Sequence, residues 1–294
     1  MWLMKAPIGW CLSEPYCCFV KSTRHFVMGM FVALILTILQ TGTALADRVA
    51  VHYPERGAHG LFVVRSLNGK EIGKGDLTET LDGRRVRAKL SLNFNDGSLY
   101  EETTRFTQDG VFHVLDYHLS QRGPSFKETL EMTVDVGRGL VTVRCFDGQE
   151  GACKNRVWTR HMRIPADLAN GIVPLVVRNI SPDTTRVQVS MIVATPEPKL
   201  VHLSISPGAL QKFPFNGAKL ETTRYELTVD PGGMLGPFIK ITGRQAPPSF
   251  LWMLHEKVPS FLMVQQSFID GPVCRIERAS ANAVPDEGAS DSGS

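Results

Sequence analysis

From Leu61 to Phe146 apolar and polar residues alternate in short runs separated by glycine-bearing turns, the signature of an antiparallel β-meander. Leu61–Leu67 leads into Asn68-Gly69, a strong two-residue hairpin signal, and the return strand spans Ile72 to Thr80 before Asp82-Gly83. The clearest run follows. Val86, Ala88, Leu90, Leu92 and Phe94 alternate with Arg85, Arg87, Lys89, Ser91 and Asn93, giving one apolar and one water-facing side. Leu99–Thr107 is a more polar strand, and Asp109-Gly110 turns the chain into Val111–Ser120. A second clean alternation places Phe126, Leu130, Met132, Val134 and Val136 on one side, with Glu128 as its exception, and Leu140–Phe146 completes about seven strands.

The rhythm changes at Pro165. Leu168, Ile172, Val173, Val176 and Ile180 recur at helical spacing, and a short helix is expected over roughly 165–173, with Pro174 ending or kinking it. Strands are expected again at Arg186–Ala194, Leu200–Ser206, Leu220–Val229, Phe238–Thr242, Phe250–His255, Phe261–Phe268 and Val273–Glu277. No short repeat of fixed period recurs, which disfavours a solenoid or propeller.

The expected fold is mainly β: one large, curved antiparallel sheet, of β-clam, half-barrel or lipocalin-like form, with one short helix. Strands about 4.8 Å apart make a ten-stranded sheet about 48 Å wide, and one helix covers about 10 Å of it. The apolar side must therefore curl on itself or leave a trough. A trough lined by Leu90, Leu92, Phe94, Leu130, Met132 and Val134, with Leu168 and Ile172 from the helical stretch, would take a lipid or acyl chain. The alternative is a filled core in which these side chains pack on the face of Trp252, Leu254 and Met263. A continuous cavity of several hundred Å³ would mark the first case, and a solid interior would mark a structural or interaction module.

The amino terminus bears on the compartment. Phe26–Leu39 is an apolar run short for a membrane span, preceded by Lys21, Arg24 and His25 and followed by Ala44-Leu45-Ala46, so residues 1–46 read as a signal peptide, with an uncleaved membrane anchor as the alternative. The domain is expected over 47–278, exported to the periplasm or secreted, with 279–294 a small, acidic, disordered tail. Without Lys5, Lys21, Arg24 and Glu14, the 32 basic and 29 acidic residues become 29 and 28. Such a balance gives no electrostatic case for nucleic acid. Three cysteines lie beyond residue 46. Cys145 and Cys153 flank a glycine-bearing loop and are the favoured disulfide, with Cys274 left over or partner to either.

Candidate chemistry is sparse. Asp116 and His118 share a strand face but lack a nucleophile motif, which favours a solvated pair over a triad. Glu101 and Glu102 point to opposite faces of a strand and make no glycosidase dyad. Gly69–Gly75 lacks the spacing of a phosphate loop. No cofactor, metal or enzymatic activity is expected. Partners are a lipid or an envelope protein.

The signal sequence, the Leu67-Asn68-Gly69-Lys70 hairpin, the Asp167-Leu168-Ala169-Asn170-Gly171 helix start and the closing Gly271–Glu277 strand resemble exported bacterial proteins of unknown function. Such families are similar to the β-clam of outer-membrane lipoprotein carriers, a curved sheet that holds acyl chains. The resemblance spans residues 60–277 and implies that fold and an apolar ligand, without transferring any functional residue. The carriers have more helix than this sequence provides.

Overall fold

The computed structural model of the protein describes residues 48–146, 155–181, 183–194, 197–215, 217–230 and 248–279. Seven strands fill the first meander: β1 (Ala58–Ser66), β2 (Glu71–Asp82), β3 (Arg85–Phe94), β4 (Leu99–Thr107), β5 (His113–Arg122), β6 (Thr129–Asp135) and β7 (Leu140–Phe146). β8 (Arg156–His161) and a helix, α1 (Val173–Arg178), follow. The remaining strands are β9 (Val187–Ala194), β10 (Pro198–Phe215), β11 (Ala218–Asp230), β12 (Ser249–Leu254), β13 (Ser260–Ser267) and β14 (Val273–Arg278). All fourteen form one unclosed antiparallel sheet in the order β8-β7-β6-β5-β4-β3-β2-β1-β14-β13-β12-β11-β10-β9.

That order has a simple logic. Every strand pairs with its neighbours in sequence except that β8 and β9 do not pair with each other, and β1 also pairs with β14, placing Val64 opposite Ile276. The first and last strands are therefore central, and the edges, β8 and β9, are consecutive in the chain. Residues 162–186 connect them. Register shifts leave Ile72 of β2, Leu115 of β5, Leu262 of β13 and the Gly208 region of β10 without a one-to-one partner, bulges that bend and twist the strands that carry them.

Three expectations are corrected. The helix begins only at Val173, the last residue of the span expected for it, because Pro174 occupies its first turn, where a missing N–H costs no hydrogen bond. Asn170-Gly171 precede it, with Gly171 at φ +72°. β8 was not anticipated, since Arg156, Arg160 and His161 leave too few apolar residues to show alternation. β10 continues past Ser206 to Phe215, because Pro207 and Gly208 are absorbed in a register shift between Pro207 and Leu210. The expected signal peptide, the Phe238–Thr242 strand, Cys153 and the tail beyond Ala279 lie outside the described residues.

The core lies on one side of the sheet. Val64, Leu92, Phe106, Met132, Val141, Val189 and Ile205 belong to a single buried cluster that also takes in Leu168, Ile172, Val176 and Val177. Trp252, Leu254, Leu262 and Met263 form a separate cluster with Phe213, Phe215, Leu220 and Phe250. The proposed packing of the meander's apolar residues on the Trp252, Leu254 and Met263 face is thus not what occurs. Trp252 lies opposite Arg224 and Met263, whereas the neighbouring Leu251 pairs with Val264 and joins the main core.

Candidate functional site: the plugged inner face

Register fixes which side chains share the inner face. One row runs Leu77, Leu90, Glu102, Leu119, Met132, Val143 and Trp158 across β2 to β8. A second runs Gly75, Leu92, Tyr100, Gln121, Leu130 and Cys145, and a third Glu79, Ala88, Thr104, Tyr117, Val134 and Val141. Leu90, Leu92, Leu130, Met132 and Val134, singled out from the sequence, all lie in these rows. Phe94, Leu168 and Ile172 join them in the same core, where Leu92 is 0% exposed and Met132 and Ile172 1%. Phe94, Phe126 and Phe268 meet edge to face, with ring centroids 5.7–5.9 Å apart.

The inner face also carries polar groups. The half-buried Glu102 carboxylate accepts the hydroxyls of Tyr100 at 2.5 Å and Tyr117 at 2.7 Å. Loss of water raises the Glu102 pKa above the usual carboxylate range, and the two donors oppose that rise. The same burial, with the Glu102 charge beside them, holds both tyrosines well above their ordinary value. Glu128, the exception in the second alternation, keeps the strand's inward parity: it is buried, and Cys145 Sγ donates to its Oε2 at 3.1 Å. Gln121 Nε2 donates to the Ile269 carbonyl at 2.8 Å.

Residues 167–180 plug this face and are fastened at both ends. At the first end the chain runs alongside β9, bridging Leu168 to Ser190 in parallel, with Ala169 N–H donating to the Ser190 carbonyl at 2.9 Å. The Asn170 side chain continues the pairing: Nδ2 donates to the Ile192 carbonyl and Oδ1 accepts the Ile192 N–H, both at 2.8 Å. β9's open edge is thereby covered. Next to it Gly171 lies so close to β4 and β5 that a Cβ would collide with the Thr104 hydroxyl and crowd the Tyr117 ring.

At the second end, Arg178 pairs with the buried Glu55 and donates to the Tyr53 carbonyl at 2.7 Å. Asn179 Oδ1 accepts the N–H groups of His52 and Tyr53 at 2.6 and 2.7 Å, while its Nδ2 donates to the Leu175 carbonyl at 2.8 Å. Glu55 is also held through its backbone, by reciprocal 2.8 Å bonds with the Gln108 amide. Glu79 of β2 is buried against this pair. Burial, the hydrogen bond to Glu55 and the Glu55 charge push its pKa up to about 8, and the Arg178 charge pulls it down. The net effect favours the protonated form of Glu79 beside the Glu55–Arg178 pair.

Among the described residues the space beside the plug is small. Val49, Val111, Phe112, Leu168, Ile172 and Val189 border a pocket of about 20 Å³. A single water needs about 10–15 Å³ on this measure, whereas ligand sites usually take about 300 Å³ or more.

The other candidates scatter. Asp116 is engaged by Arg105, with Nη2 to Oδ2 at 2.6 Å, rather than by His118. Glu101 faces away from Glu102 and meets Lys89 Nζ at 3.0 Å. Among the described residues no group of three or more His, Cys, Asp or Glu could hold a metal ion. The Cys145–Cys153 pairing falls outside the described residues, and Cys274 is buried with its thiol pushed up to about 12, which leaves it inert at neutral pH. Glu102 and Glu128 were noted in the sequence without their buried, hydrogen-bonded role, and Tyr100, Tyr117, Gln121 and the Arg178 clamp were not singled out from it. Their one legible signal was parity: Tyr100, Glu102 and Thr104 fall in step with Phe106 on a strand that otherwise reads as polar.

No protein-family model, curated protein or solved structure matches the chain.

Proposed function

We propose that the protein is a non-enzymatic interaction module of the cell envelope, a curved sheet that carries its own plug and meets its partner through edges and loops. The observation that supports this reading is the filled inner face. The apolar surplus expected from the sequence is taken up by Leu168, Ile172, Val176 and Val177 of the plug, and the pocket beside them has about 20 Å³. A second reading, a carrier of a lipid or lipid-linked envelope component, is favoured by the way the plug is held. Residues 167–180 are fastened largely by hydrogen bonds and one charged cluster at their two ends, and their withdrawal would uncover the row of Leu90, Leu92, Leu130 and Met132.

Native mass spectrometry of the protein purified without detergent, with titration of a fluorescent fatty acid, separates the two. A ligand-free protein that ignores the probe is the expected result. A copurifying acyl chain, or saturable probe binding abolished by Leu92→Glu in a folded variant, would replace the module with a carrier.

A further inference from the structure

The two edges of the sheet are treated differently. β9 is covered by residues 167–170, whereas among the described residues no strand pairs with the outer side of β8. The phase of β8 follows from one bond: Met162 N–H donates to the Gly139 carbonyl at 2.9 Å, in register with Leu140 opposite His161. Hydrogen-bonded positions alternate along an antiparallel pair. Arg160, Trp158 and Arg156 therefore bond to β7, and the N–H and C=O groups of Val157, Thr159 and His161 point away from the sheet. Val157 is 60% exposed, and Arg156, Thr159 and His161 are exposed too; Arg160 is exposed but spends one donor, Nη1, on the Pro198 carbonyl of β10 at 3.3 Å, which leaves its other N–H groups for a partner.

Charge says what fits. Arg156, Arg160, His161 and Arg163 fall within ten residues, 155–164, that contain no Asp or Glu. Antiparallel pairing of β8 with a second copy would set these basic side chains against one another, a common device against self-association. An acidic strand meets no such penalty. We infer that the outer side of β8 is a docking edge for an extended acidic segment of a partner protein, which joins the sheet as an added strand.

Main-chain bonds to Val157, Thr159 and His161 supply the affinity, and alternate side chains supply the choice of sequence. On the inner side, Arg156 and Arg160 flank the half-buried Trp158, so the segment carries acid, any residue, apolar, any residue, acid. On the outer side an apolar residue covers Val157. The inference rests on the interaction-module reading and names its partner's chemistry.

The probe is a fluorescein-labelled peptide, Ser-Glu-Val-Leu-Val-Glu-Ser, titrated into the full folded domain and read by anisotropy. Saturable binding is expected, weakened about tenfold by Thr159→Pro, which removes an outward N–H and spares the ladder to β7. Arg156→Glu is expected to weaken it by about as much. A peptide N-methylated at the backbone nitrogens facing β8 should not bind, and that arm needs no altered protein. Absence of binding at millimolar peptide, equal binding of the N-methylated peptide, or equal binding by a folded Thr159→Pro variant each overturns the inference. So does displacement of the peptide by a concentration-dependent dimer through β8. An interior that stays ligand-free while the peptide fails to bind removes the edge and leaves the module; a copurifying acyl chain removes the module whatever the peptide does.

Discussion

Gly171 is where the plug comes closest to the sheet. Its φ of +72° is a conformation that side chains with a Cβ adopt at a cost, and the Thr104 hydroxyl occupies the space a Cβ would need, with the Tyr117 ring close by. Gly217 has a similar φ of +80° but nothing within 4 Å of its would-be Cβ. Comparing the two separates backbone strain from collision. Gly217→Ala should cost about 1 kcal/mol, and Gly171→Ala about 2–4 kcal/mol because overpacking adds to it. Urea unfolding of both variants measures this, and equal losses would show that the plug does not press on β4 and β5. At this scale the sequence was partly legible. The alternation of Leu90, Leu92, Leu130, Met132 and Val134 declared the inner face, since one-sided burial is written in a period of two. The inward role of Glu102 and Glu128 was not recognised, because a carboxylate is taken for a solvent-facing residue until its partners, Tyr100 on the same strand and Tyr117 and Cys145 on others, are seen.

At the scale of elements, α1 is too short to be stable by itself and depends on its anchors. The clamp at its end gives it a pH dependence. Glu79 has its pKa raised from 4.5 to about 8, so the folded protein holds a proton that the unfolded chain releases. The associated stability is fully present below about pH 4.5, declines as pH rises, and is lost above about pH 8. Thermal melts between pH 5 and pH 9 should show a falling Tm for the wild type and a flatter curve for Glu79→Gln, which keeps the neutral form at every pH. Parallel curves would mean that Glu79 does not retain its proton against Glu55 and Arg178. The elements also show why the helix position and β8 escaped the sequence. Pro174 is a breaker inside a helix and a starter at its first turn, and only the fold determines which. β8 has a polar and basic pattern because, as an edge, it has little to bury.

For the whole molecule, the mainly β class followed from counting alternating runs, whereas the sheet order depends on a contact no local pattern announces. Arg65 Nε donates to Glu277 Oε2 at 3.1 Å across 212 residues, between β1 and β14, and the same pair of strands carries Val64 and Ile276 into the core. A chain ending before Val273 should lose cooperative unfolding altogether, since β1 and β13 would both be left with an open edge in the middle of the sheet. Circular dichroism melts of the shortened chain test this, and a sharp transition close to that of the full domain would show that two half-sheets stand alone.

The meeting of β1 with β14 also sets an order in time. Hairpins between consecutive strands are able to form as each is made, but the central seam waits for the last strand, and its loop-closure entropy must be met before its contacts contribute. Until then β1 presents an unpaired edge bearing Phe62 and Val64. The interval between synthesis of the first strand and arrival of the last is the period in which this chain is most prone to join the wrong neighbour. A holding factor that keeps β1 from pairing early would therefore raise the yield of folded protein without touching its final stability.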